Sequence, residues 1–345
     1  MNRLLIILMA LGAAFCSKNP SGTETRSAEA RTEKPGYAIV IHGGAGTILP
    51  GNISGEQEAE YRAALNAALD IGEGVLEAGG SSRNAVEQTI VYLENSPLFN
   101  AGKGAVFTSD GHNELDASIM DGATRNAGAV GGLRHVKNPI RAARAVLEHS
   151  KHVLLTGAGA EAFALEQGLD TVSADYFYTD SRWKALERAR AAAAKKTGAL
   201  LPVDYKFGTV GCVALDQAGS ITAGTSTGGM TNKQYGRFGD VPVIGAGTYA
   251  DNATCGVSCT GHGEYFIRYA VGHDMTALMA YKNLSLEEAG HHIIHEKLKA
   301  AGGAGGLIAL DKDGNITMPF NTPGMYRGYA RPGERVVALF GGESN

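Results

Sequence analysis

Residues 37–42 form an unbroken apolar run that stops at Gly-Gly-Ala-Gly, the pattern of a buried strand ending in a glycine turn. Behind Ser54-Gly-Glu-Gln57, whose ends match a capping box, Tyr61, Ala64, Leu65, Ala68, Leu69 and Leu76 recur at helical spacing. That spacing predicts a helix stopped by Gly79, and a second helix is expected over 82–94. Residues 104–132 change to short strand-like runs around an Asp110-Gly111 turn. Pro139 opens a helix to about residue 149, followed by a short strand (152–155), a helix (158–167) and an alanine-rich basic helix (182–196). Residues 197–207 contain Pro202 and no periodicity, which predicts an exposed segment ending at Gly208.

Strands are then expected at 209–215, 220–224, 243–248 and 254–260, helices at 264–282 and 285–300, and strands again at 306–310, 316–320 and 336–340. The helices cluster between two strand-rich blocks instead of alternating with single strands. This disfavours a Rossmann-type sheet and favours two stacked sheets covered by helices. No repeat of 20–50 residues is present.

Composition narrows the class. The chain has 345 residues, 44% of them apolar and 19% charged, so a packed core of one large or two modest domains is expected. The net charge of −4 and the lack of a long basic run (Lys195-Lys196 is the densest spot) argue against a nucleic-acid partner. At the N-terminus, Arg3 precedes an apolar run over 4–15 that ends at Cys16. The run is shorter than the ~20 residues a bilayer needs, and it reads as an export signal over 1–16. Cys16 suggests the lipoprotein type, whereas Phe15 stands where a small residue is usual; lipidation and ordinary cleavage both remain open. Residues 17–35 form a polar leader. The expected location is the periplasm or cell envelope, with a lipid on Cys16 as the one link to a membrane. Cys212, Cys255 and Cys259 are odd in number and read as buried small residues, not as a disulfide framework.

The candidate chemistry lies within about sixty residues. Gly208-Thr209-Val-Gly is followed by Thr225-Ser-Thr227-Gly-Gly, then Gly236-Arg-Phe-Gly-Asp240, then Cys259-Thr-Gly-His-Gly-Glu264. A threonine hydroxyl needs a base to take its proton. Breaking the Gly208–Thr209 bond would supply one, because a free α-amine titrates at about 7.7–8.0. Arg237 offers a planar fork for a carboxylate, and Asp240 accepts from an ammonium. Together they match the two charged ends of an amino acid. Thr260 and Gly261 follow an apolar strand, where a hydroxyl and a backbone N–H can form an oxyanion hole. His42 reads as structural. His291 and His295 share a helix face but lack the Glu that a zincin places after the first His. Gly-Gly-Ala-Gly lacks the Lys-Ser/Thr of a phosphate loop, so no cofactor is implied.

These motifs, together with IHGGAG (41–46), PLFNAGKGAVFT (97–108), ELDASIMDG (114–122), GAVGGL (128–133) and PFNTPGMYRG (319–328), closely resemble the plant-type asparaginase/isoaspartyl peptidase family of N-terminal-nucleophile hydrolases. The resemblance runs from about Tyr37 to the C-terminus. It implies an α+β fold, a four-layer αββα sandwich over 36–345. It also implies self-cleavage before Thr209 into subunits 36–208 and 209–345, assembled as a dimer of αβ units. On the same likeness Thr209 is the nucleophile, Thr227 and Thr260 assist it, and Gly261 donates to the oxyanion. Arg237 and Asp240 hold the headgroup, with Phe238, Gly239, His262 and Gly263 around it, and Asn100 lies beside the site. A sodium ion held by backbone carbonyls of Leu93, Glu94, Ser96, Phe99, Ala101 and Lys103 is implied as well. The expected substrates are small molecules, β-aspartyl dipeptides and L-asparagine. Two alternatives stand: a glycosylasparaginase with a wider leaving-group pocket, and an uncut envelope protein that binds amino acids without catalysis.

Overall fold

A computed structural model describes residues 36–194 and 208–343. The export signal, the leader and the aperiodic segment 197–207 lie outside the described residues. The strands are β1 (Ala38–Gly46), β2 (Leu115–Asp121), β3 (Ala127–Leu133), β4 (Leu154–Thr156), β5 (Val210–Leu215), β6 (Ile221–Thr227), β7 (Thr248–Ala250), β8 (Cys255–Gly261), β9 (Gly305–Asp311), β10 (Ile316–Thr317), β11 (Gly324–Arg331) and β12 (Glu334–Phe340). They form an eight-stranded sheet in the order β12-β11-β1-β5-β6-β2-β3-β4 and a four-stranded sheet in the order β10-β9-β8-β7. The principal helices are α1 (Gly55–Glu77), α2 (Ser82–Glu94), α3 (Pro139–His149), α4 (Gly157–Glu166), α5 (Asp180–Ala194), α6 (Gly263–Arg268), α7 (Val271–Lys282) and α8 (Leu286–His291).

Side chains alternate across a strand, and here the alternation sorts residues into three cores. Ile39 and Ile41 of β1 and Cys212 and Ala214 of β5 pack with α1, α2 and α3. Val40 and Val213 point the other way, into a core shared with Ile308 and Leu310 of β9. On the far face of the small sheet, Cys255, Val257 and Cys259 pack against Met275 of α7 and Leu286 of α8. Three cores between four layers give the αββα sandwich. This explains why β1 reads as a continuous apolar run: both of its faces are covered.

Local signals set the ends. Ser54 accepts from the Gln57 N–H and Gln57 returns to the Ser54 N–H, at 3.1 and 3.0 Å, completing the capping box that starts α1. Such a cap stabilises by about 1 kcal/mol. Asp110-Gly111 turns a short hairpin in which Phe107 bridges Asn113.

Other expectations needed correction. No strand covers 243–247; the strand begins at Thr248. The helix expected over 264–282 breaks at Ala270, whose backbone is left-handed (φ 47°), between α6 and α7. The helix after Ser285 passes through a π-helical stretch, His292–Leu298. Strand β11 was not foreseen, because Gly-Met-Tyr-Arg-Gly-Tyr-Ala-Arg shows no two-residue alternation. It is nonetheless central, pairing with both β1 and β12 and burying Arg327. Cys212, Cys255 and Cys259 are free and buried, as expected.

Candidate active site

The β5–β6 hairpin brings the two key threonines together. Its turn is closed by the Asp216 carboxylate, which accepts from the N–H groups of Ala218 and Ser220. The arms pair in step, Leu215 with Ile221 through Val210 with Ser226. Equal arms leave Thr209 and Thr227 opposite one another at the open end, with their hydroxyl oxygens 3.0 Å apart. The Gly229 N–H donates to Thr227 Oγ1 at 3.0 Å, so the Thr227 hydrogen is free to point at Thr209. Both residues are almost fully buried.

Asn100 holds this open end from the other side. Its N–H donates to the Gly208 carbonyl oxygen at 2.8 Å, and its carbonyl accepts from Gly228. Its side chain donates to Gly229 O and accepts from the Val106 N–H, at 2.7 and 2.9 Å. The carbonyl that precedes Thr209 is thus already polarised by a backbone donor.

The expected headgroup residues also converge. Gly263 packs so tightly that a Cβ there would fall 2.7 Å from Asp240 Oδ1 and 3.0 Å from Arg237 Nη2. Asp240 is buried and its Oδ2 has no hydrogen-bond partner among the described residues. Burial pushes its carboxyl up to about 7, against the pull of its own backbone N–H and the Arg237 charge. A buried acceptor without a donor is costly to leave unmade. Phe238 lies over Gly131. His262 sits 3.3 Å from Glu264 and edge-on to Tyr265. Thr260, near the end of β8, accepts from the Ala45 N–H at 3.3 Å, tying it to the glycine turn after His42.

Four features were not foreseen. Glu264 grips Arg237 along its Nε and Nη2 edge, both contacts at 2.8 Å. Burial alone would raise the Glu264 carboxyl, but the Arg237 hydrogen bond and charge hold it below its usual range. His42, read as structural, contacts the Thr209 carbonyl oxygen through Nδ1 at 3.0 Å, and burial pushes its imidazole down to about 3. Asp116, opposite Thr227 in the β2–β6 register, is buried beside the buried Lys233, 3.9 Å away. Glu94 is buried, accepts from Ser226 next to Thr227, and is pushed by burial up to about 7. Glu264 lies inside the Cys259–Glu264 string and so had a signal; the other contacts arise from residues far apart in sequence. The His291 and His295 rings lie 4.9 Å apart at a 39° tilt, and among the described residues no group of three or more His, Cys, Asp and Glu could hold a metal.

The sandwich, with Thr209 immediately before a central strand, is that of a hydrolase of the N-terminal-nucleophile class. The sequence pattern of the family described as asparaginase matches residues 35–338, and the chain belongs to that family. It is 52% identical over 299 residues to the isoaspartyl peptidase of Escherichia coli (strain K12), covering 86% of this chain and 93% of that protein. It matches the isoaspartyl peptidase of Salmonella typhimurium (strain LT2) at the same identity, over 86% of this chain and 96% of the relative. A more distant relative, the isoaspartyl peptidase/L-asparaginase of Xenopus laevis, is 39% identical over 89% of this chain and 96% of its own length.

Proposed function

We propose that the protein hydrolyses β-aspartyl dipeptides and L-asparagine, releasing L-aspartate, after cutting its own chain before Thr209. The observation that carries this reading is the 3.0 Å contact between the Thr209 and Thr227 hydroxyls beside the Asn100–Gly208 hydrogen bond. In maturation the Thr209 hydroxyl attacks the Gly208 carbonyl carbon while the Asn100 N–H stabilises the charge on its oxygen. An ester to the Thr209 oxygen forms as the Gly208–Thr209 C–N bond breaks, the hydroxyl proton passing to the freed Thr209 amine; water then hydrolyses the ester to a Gly208 carboxylate and restores the Thr209 hydroxyl.

That amine then takes the Thr209 hydroxyl proton. The oxygen attacks the side-chain carbonyl of the substrate, and Thr227 donates to the nucleophile. Thr260 and Gly261 receive the oxyanion. The leaving amine departs with a proton, and water releases aspartate from the aspartyl ester. Arg237 binds the α-carboxylate through the Nη1 side that Glu264 leaves open, and Asp240 accepts from the α-ammonium.

Further parts of the reading are a dimer of αβ units and export to the periplasm or envelope, with or without a lipid on Cys16. A hard monovalent cation such as sodium would be held by the carbonyls of Leu93, Glu94, Ser96, Phe99, Ala101 and Lys103. Supporting this, the loop folds back so tightly that a Cβ on Gly102 would fall 2.3 Å from Glu94 O. Neutral oxygens suit such a cation, which would brace the segment carrying Asn100.

The test is a denaturing gel of purified protein with N-terminal sequencing, beside an assay on β-Asp-Leu. Two fragments are expected, the smaller beginning at Thr209, with Thr209→Ala remaining one inactive chain. An active wild type that stays uncut would overturn the mechanism.

A further inference from the structure

Five buried polar side chains form one continuous seam between the two sheets. His42 Nε2 meets Ser258 Oγ at 3.0 Å, Ser258 meets Thr225 Oγ1 at 2.6 Å, and Thr225 meets Thr248 Oγ1 at 2.5 Å. Thr248 meets Ser118 Oγ at 2.8 Å, and Ser118 reaches the Val241 carbonyl at 2.6 Å. All five side chains are fully buried. The seam crosses between sheets at every step: β1, β8, β6, β7, β2. One end is the carbonyl of Thr209, contacted by His42 Nδ1; the other is the carbonyl of the residue after Asp240.

Hydrogen bookkeeping fixes its direction. A carbonyl only accepts, so Nδ1 carries the proton of the neutral His42 ring and Nε2 must accept from Ser258. Ser258 then takes the hydrogen of Thr225, Thr225 that of Thr248, and Thr248 that of Ser118. Five hydrogens serve six contacts, so Ser118 shares its hydrogen between Thr248 and Val241. Thr225 has a longer contact to Gly247 O at 3.3 Å. The hydroxyls of Ser258, Thr225 and Thr248 point toward His42, and such aligned chains strengthen cooperatively. Gly211 keeps the route open, since a Cβ there would fall 2.0 Å from Ser258 Oγ and 2.2 Å from His42 Nε2. The second glycine of Gly-Thr-Val-Gly thus gains a purpose. Apolar residues of similar shape could fill the same space at little cost in stability, so packing alone does not call for this arrangement.

We propose that Ser258, Thr225, Thr248 and Ser118 are positioning residues that, with His42, lock the nucleophile strand to the Asp240 loop, so that attack geometry and headgroup binding are set together. The roles of Thr209 and Asp240 in this proposal rest on the reading above. The test compares Thr225→Val, which keeps the shape and removes the hydroxyl, with Thr225→Ser, which keeps the hydroxyl. Three quantities are measured: the self-cleavage rate, kcat and KM on β-Asp-Leu, and the ¹⁵N resonance of His42 Nε2. Thr225→Val is expected to slow cleavage, raise KM and shift the Nε2 resonance, each well beyond the Ser variant, which should stay close to wild type. Ser258→Ala makes the same comparison should the valine variant fail to fold. Wild-type behaviour at either end in Thr225→Val, or equal impairment in Thr225→Ser, would overturn the coupling. If the wild type proves inactive on β-Asp-Leu while cleavage and the resonance still track the hydroxyl, the substrate reading falls and the seam stands.

Discussion

Glu264 holds Arg237 side-on, its two carboxylate oxygens each 2.8 Å from Nε and Nη2. A guanidinium carries five N–H donors, and this contact uses two of them. Glu264 therefore aims the guanidinium and leaves the Nη1 side for a second carboxylate. If Arg237 holds the substrate carboxylate as proposed, it is preorganised for it, which lowers the ordering cost of binding.

Arg237→Ala and Glu264→Gln should consequently differ in kind. Truncating one partner of a buried charge pair costs about 2–5 kcal/mol, or roughly 30- to several-thousand-fold in kcat/KM. Arg237→Ala should fall in that range, while Glu264→Gln, which keeps one acceptor, should raise KM with a smaller loss in kcat. Self-cleavage should survive in both. Near-wild-type turnover by cleaved Arg237→Ala would show that the carboxylate is held elsewhere.

Asp240 gives the site a pH signature. Its carboxyl is pushed by burial up to about 7, and only the ionised form pairs with an α-ammonium. Protonation of Asp240 below that point removes the charge partner, and the Thr209 amine, which titrates ordinarily at about 7.7–8.0, must also be deprotonated to act as base, so kcat/KM should fall more steeply than tenfold, toward about a hundredfold, per pH unit as pH drops below about 7. A pH profile of cleaved enzyme checks this; a flat profile from pH 7 down to 5 would contradict it.

The proposed self-cleavage depends on a close approach. A Cβ on Gly208 would fall 2.8 Å from both the N and Cβ of Asn100, pushing the scissile carbonyl off its donor. Gly208→Ala should slow self-cleavage by at least tenfold, because an oxyanion donor is typically worth 10²–10³. A gel time course measures it, and cleavage at the wild-type rate would show that the Asn100 contact is idle.

Glu94 offers a stability test. Its Oε1 accepts from Ser226 and the Ile140 N–H, its Oε2 from Asn138, and burial raises its carboxyl to about 7. The native state therefore holds this proton where the unfolded chain has lost it, so its contribution falls as pH rises from about 4.5 through 7. Glu94→Gln cannot titrate. Its stability deficit against wild type should be widest at about pH 4.5 and below and narrow toward pH 8 in thermal melts; a constant gap would count against a raised carboxyl.

The chain itself carried a large part of this. The apolar run before Gly43, the helical spacing behind Ser54 and the turn after Leu215 are local patterns, and the elements follow them closely. The Thr209–Thr227 contact was nearly written in advance, since a tight turn with equal arms leaves those two residues opposite one another. Arg237 and Asp240 were recognisable because they lie three positions apart within one short loop.

Tertiary structure decided what depends on partners distant in the chain. The placing of β11 between β1 and β12 comes from pairing across nearly three hundred residues, with no alternation in its own sequence to announce it. His42, Ser118, Thr225, Thr248 and Ser258 are each ordinary strand residues when read singly. They become one seam because stacking two sheets turns their inward faces toward each other, and a buried hydroxyl must then find its partner across the gap.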